Sequence, residues 1–112
     1  MTMTETTKLP ASIFVDIYEW RDRTYGNTYF SAKVSVEGEH VLTTGMAYGY
    51  GDLAIYDCAK VLRAMGYLPA GDNHVALTYV ARELGIALYV ARRDVLKREL
   101  PKAWSILDEA RA

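Results

Sequence analysis

From Ser12 onward, apolar and polar side chains alternate. Ile13, Val15 and Ile17 interleave with Phe14, Asp16, Tyr18 and Trp20, a period of two that predicts a β-strand with one face toward a core. Arg21 to Asn27 (RDRTYGN) supplies turn chemistry. A second strand follows, with Phe30, Ala32, Val34 and Val36 on one face and Tyr29, Ser31, Lys33, Ser35 and Glu37 on the other. Glu37-Gly38-Glu39 reads as a tight hairpin turn. The third strand is expected from His40 to about Tyr48, with Gly45 marking a bulge or the close approach of another element.

The period then changes. Tyr48-Gly49-Tyr50-Gly51-Asp52 ends the strand, and Asp52 is placed to cap a helix. Ile55, Cys58, Ala59, Leu62 and Met65 keep the i, i+3, i+4, i+7 spacing of a buried helical stripe, which Gly66 closes. After the loop Pro69-Ala70-Gly71, a second helix is expected from Asp72 or Asn73. It carries Leu77, Val80, Ala81 and Leu84 and stops at Gly85. Ile86, Leu88 and Val90 alternate with Ala87, Tyr89 and Ala91, which favours a fourth strand. Arg92 to Lys102 reads as a basic connector, and Pro101 suits the start of a last short helix bearing Trp104, Leu107 and Arg111. Residues 1–11 are polar and Thr-rich and are expected to form a flexible tail. Residues 12–112 then make a single domain. The order β-β-β-α-α-β-α predicts an α+β fold: an antiparallel sheet of three to four strands with helices packed on one face.

Composition narrows the function classes. The chain has 112 residues, is 51% hydrophobic and carries a net charge of −1, so no global basic field draws it to nucleic acid or lipid. No apolar run is long enough for a membrane span. A cytoplasmic location is the expectation. The single cysteine, Cys58, removes an internal disulfide and a Cys-rich zinc site. The two histidines, His40 and His74, lie 34 positions apart, with no ligand spacing around them. No metal or cofactor is expected. Gly49-Tyr50-Gly51 before a helix has the look of a phosphate cradle, but it lacks the dinucleotide and P-loop spacings. Asp52 would also set a carboxylate where the anion should sit. A catalytic reading built on His40, His74 or Cys58 ranks third, because nothing in their spacing pairs a nucleophile with a base.

Aromatic residues point elsewhere. Nine residues are Tyr. If Ile13, Val15 and Ile17 face the helices, Phe14, Tyr18 and Trp20 project from the opposite face, joined by Tyr29 and Lys33 from the next strand. Such a face either lies under the C-terminal helix or a second copy, or it grips a partner. Tyr18, Trp20 and Tyr29, with the acids Asp16, Glu19 and Asp22, are the candidate contacts. Lys33 stands beside them, and Tyr48, Tyr50 and Asp52 shape the adjoining loop. The alternative is a nucleic-acid surface on Arg92, Arg93, Lys97, Arg98 and Lys102, supported by Tyr29 and Lys33.

Two resemblances sharpen these expectations. Three strands followed by the helix Asp52-Leu-Ala-Ile-Tyr-Asp-Cys-Ala-Lys60 resemble, in architecture, the βββα part of double-stranded-RNA-binding domains. Where those domains place a lysine cluster at the start of this helix, the chain has Asp52 and Asp57. Gly26-Asn27-Thr28-Tyr29 together with Tyr48-Gly49-Tyr50-Gly51-Asp52, within Ile13 to Leu100, resemble small phage and prophage accessory proteins, among them anti-CRISPR and other anti-defence inhibitors. That resemblance implies a phage-derived, non-enzymatic protein that inhibits a bacterial defence complex by covering the surface of a host protein or ribonucleoprotein. A small nucleic-acid-binding module is the alternative.

Overall fold

The computed structural model describes residues 9–49, 52–71 and 75–106. Strands β1 (Ser12–Asp22), β2 (Asn27–Val36) and β3 (Glu39–Thr43) form the expected meander. Strand β1 meets β2 antiparallel from Ile13↔Val36 to Asp22↔Asn27 without a break. The two-residue turn Glu37-Gly38 has both residues at positive φ (51° and 83°), the turn form whose twist suits adjacent strands. Helix α1 (Asp52–Ala64) and helix α2 (Leu77–Leu84) pack on one face of the sheet. The second helix starts several residues later than Asp72 or Asn73, after the extended Ala76. Both helices end as the glycines predict. Past α2, Gly85 sits at φ 72° and donates to the Arg82 carbonyl, while Ile86 donates to that of Ala81. Gly66 and Tyr67 close α1 on Arg63 and Leu62 in the same way.

The sheet is larger than predicted and mixed rather than antiparallel throughout. Its order is β5-β1-β2-β3-β6, with the two-residue strand β4 (Ala47–Tyr48) pairing with β2 off that path. Strand β5 (Ala87–Asp94) runs parallel to β1, from Ser12↔Ala87 to Glu19↔Asp94. The fourth strand is therefore real, but longer than Ile86 to Ala91, and it absorbs Arg92 and Arg93 from the expected connector. A parallel neighbour needs a long crossover, which the two helices supply. The third strand is shorter than predicted and stops at Thr43. A register shift near Val34/Ser35 leaves Val41 as the extra residue, and both Val41 and Leu42 join the core. Gly45 lies beyond this bulge, 3.4 Å from the Ala103 side chain by the position a Cβ would take.

The C-terminal segment departs most from expectation. Trp104–Ser105, expected within the last helix, instead form strand β6 against Leu42 and Thr43, and helical backbone begins only at Ile106; Leu107 and Arg111 lie outside the described residues. Between β5 and β6 the chain passes across the sheet face opposite the helices. The Val95 amide donates to the Glu19 carbonyl, a 3-10 turn follows at Lys97–Glu99, and the Pro101 carbonyl accepts from Ser31 Oγ at 2.9 Å. This strap joins the two edges of the sheet.

The core lies between sheet and helices. Ile13, Val15 and Ile17 are fully buried, as are Ala32 and Val34 from β2. Ala54, Cys58, Ala59 and Leu62 meet them from α1, and Leu77 from α2. At the other end, Pro10 is buried and the Ala11 carbonyl accepts from Ala87. Residues 1–8 of the expected tail lie outside the described residues.

Candidate functional site

The alternation in β1 turns its large rings away from the core. Phe14 is 42% exposed, whereas Ile13 and Val15 beside it are fully buried. Strand register then sorts the open face into rows. Tyr89, Phe14, Ser35 and His40 stand side by side on β5, β1, β2 and β3. The next row is Ala91, Asp16, Lys33 and Thr43, followed by Arg93, Tyr18 and Ser31. Trp20, Tyr29 and Tyr48 form the last aromatic row.

The middle rows form one connected cluster. Arg93 embraces the Asp16 carboxylate, with guanidinium nitrogens at 3.0–3.2 Å, and the Tyr18 hydroxyl donates to the same carboxylate at 2.9 Å. The Arg93 guanidinium carbon lies 4.9 Å from the centre of the Tyr18 ring, and Lys33 Nζ lies 5.4 Å from it, within reach of cation–π attraction. Desolvation, then the bond to Asp16, raises the Tyr18 hydroxyl above its ordinary pKa. Tyr18 is therefore a hydrogen-bond donor here, not a base.

The last row lies beside the strap. Trp20 and Tyr29 stack with centroids 5.3 Å apart, Tyr48 meets Tyr29 edge-on at 5.6 Å, and Lys97 sits 5.4 Å from the Trp20 ring centre. Trp20, Tyr29 and Tyr18 are half-buried, while Tyr48 stays exposed. At the opposite edge, His40 stacks on Trp104 and shares a hydrogen bond with Thr43 Oγ1.

The candidate residues thus divide. Asp16, Tyr18, Trp20, Tyr29, Lys33 and Tyr48 share the open face, with Asp22 at its hairpin end. Glu19 does not join them; it stands opposite Phe30 on the helix side of β1. Tyr50 and the Asp52 side chain lie outside the described residues, as does His74. The basic stretch does not form one patch. Arg92 and Arg93 point to opposite faces of β5, Lys97 and Arg98 lie in the 3-10 turn, and Lys102 lies in the strap. Sequence reasoning saw Tyr89 only as part of an alternation, yet register sets it directly beside Phe14 and leaves it 60% exposed.

The enzyme candidates are separated. Cys58 faces the core from α1, whereas His40 lies on the open face, so the sheet stands between them. A cleft of about 520 Å³ between α1 and the β3/β6 edge contains Asp57 and Lys60, but neither Cys58 nor His40. Among the described residues no group of three or more His, Cys, Asp or Glu is placed to hold a metal, and no helix is long and apolar enough to cross a membrane. No family model, curated protein or solved structure matches the chain. What the site can do therefore rests on its geometry.

Burial pushes the Cys58 thiol up to about 12, with Asp57 adding to the shift. The unfolded chain loses this proton near pH 9, while the folded chain holds it to about 12. The resulting stability is whole below pH 9 and is lost as pH rises through that window, roughly 4 kcal/mol in all. Urea titrations from pH 8 to 11 are expected to show this decline in the wild type and a shallower one in Cys58→Ala. Equal slopes would mean that the thiol is not held protonated.

Proposed function

We propose that the chain is a non-enzymatic binding protein that docks its open sheet face on a host protein or ribonucleoprotein complex. The narrower form of the reading, drawn from the likeness to phage accessory proteins, is an anti-CRISPR-like inhibitor that covers a working surface of a bacterial defence complex. One observation carries the proposal. Phe14 and Tyr89 stand side by side on adjacent strands, both largely exposed, on the half of the face away from Trp20 and the 3-10 turn. Large rings held rigidly by a sheet give contact area at little rotamer cost. Tyr18, Trp20 and Tyr29 serve as the packed floor and wall of that surface, with Tyr48 at its margin.

A phage-restriction assay in bacteria expressing the chain tests this reading. Wild type is expected to relieve restriction. The double variant Phe14→Ala/Tyr89→Ala is expected to fold normally and lose that relief, since each such anchor is worth about 2 kcal/mol, or about 30-fold in affinity. Intact restriction in the presence of wild type removes the inhibitor reading. A double variant as active as wild type removes the face.

A further inference from the structure

We infer that the uncovered half of the open face binds single-stranded nucleic acid, with Phe14 and Tyr89 stacking on bases and Lys33 facing the phosphates. This rests on the reading of the open face as the docking surface, and it assigns the contact to the nucleic-acid part of a ribonucleoprotein.

Charge on this side of the molecule runs against that of the whole chain. Asp16, Asp22, Lys33 and Arg93 rise from the face and cancel. The strap adds Lys97, Arg98 and Lys102 against Glu99, so this side sums to +2 in a chain of net charge −1. The one acid among the central rows, Asp16, is held by Arg93 and by the Tyr18 hydroxyl. The Asp16 and Arg93 charges thus largely cancel inside the cluster, while Lys33 remains exposed.

Ring placement matches stacking. Tyr89 and Phe14 are register neighbours, with the small Ser35 next and the exposed His40 beyond it, stacked on Trp104. This row spans three inter-strand steps, roughly 14 Å, room for two or three bases laid across the strands. Rings on a sheet read the faces of unpaired bases and tolerate any sequence, because every base has a π-face. A duplex hides those faces in its own stack. The core of a protein interface is usually depleted of charge, whereas the row beside this ring pair carries the exposed Lys33, next to an Asp16 already paired with Arg93.

The test is fluorescence anisotropy of the full chain with labelled U10 RNA and dT10 DNA, against a blunt RNA hairpin. Both single strands are expected to bind and the hairpin to bind far more weakly. One phosphate contact gives a salt slope of about −0.7, a roughly 3-fold loss between 50 and 200 mM salt. Phe14→Ala and Tyr89→Ala are each expected to weaken binding by about 5- to 150-fold, and Lys33→Ala to flatten the salt slope. Circular dichroism melts establish that these variants are folded. Failure of both single strands to bind at 50 mM salt, equal binding of the hairpin, or indifference to both ring substitutions overturns the inference. If single strands fail while Phe14→Ala/Tyr89→Ala still abolishes relief of restriction, the docking face stands and its ligand is protein. If the ring variants change neither assay, the docking reading falls as well.

Discussion

Val15→Asp is expected to unfold the protein, whereas Phe14→Asp, one position earlier, leaves it folded. Val15 is fully buried in the interior strand β1, flanked in register by Val34 and Val90, with the helices packed on its side of the sheet. A carboxylate there has no partner and must either shed its charge or break the core. That penalty adds to the lost apolar burial of valine, about 1.5–3 kcal/mol, and together they consume most of the roughly 6–17 kcal/mol available to a chain of this length. Phe14 points the other way, onto the open face, so its replacement costs stability little and removes a ring of the proposed docking face. Far-UV circular dichroism and urea midpoints on the two variants read the result directly. Equal stability of the pair would show that the two faces of β1 are not as described.

Phe30→Ala is expected to lower the unfolding free energy by about 3–5 kcal/mol. The ring is only 1% exposed and is the largest fully buried side chain among the described residues. It projects from β2 toward α1, and a Cβ built on Gly49 would lie 3.7 Å from its edge. Truncation removes both transfer energy and the contacts of atoms that cannot collapse into the space. For a domain of this size the melting temperature should fall by roughly 12–20 °C. A drop of only a few degrees would mean that the surrounding helix closes over the gap.

Local pattern carried much of this fold. The alternation of Ile13, Val15 and Ile17 against Phe14, Tyr18 and Trp20 correctly divides a buried face from an open one, and the stripes through Cys58 and Leu77 correctly face the core. Gly66 and Gly85 end their helices where they were expected to. What periodicity does not carry is which strand lies beside which. The Asp16–Arg93 pair depends on β5 running parallel to β1, 77 positions apart in sequence, and nothing local announces it. The bulge at Val41 interrupts an alternation that otherwise reads straight through to Tyr48. Trp104–Ser105 is too short a strand to show a period, and Pro101, read as a helix start, instead gives its carbonyl to Ser31. Of the candidate site, the facing of Tyr18, Trp20, Tyr29 and Lys33 was legible. The pairing of Phe14 with Tyr89 was not, because it needs the same parallel neighbour.

The placement of β5 also has a consequence for synthesis. The β1–β2 hairpin can close within microseconds of leaving the ribosome, but the other neighbour of β1 is complete only when Asp94 has been made, 58 residues after Val36. At 5–20 residues per second that interval is about 3–12 s. Throughout it β1, an interior strand of the finished sheet, is an unprotected border, open to pairing with other nascent chains. Sticky, immature copies should therefore accumulate when translation stalls between Val36 and Asp94, and slowing elongation in that stretch should lower soluble yield more than slowing it before Ser12.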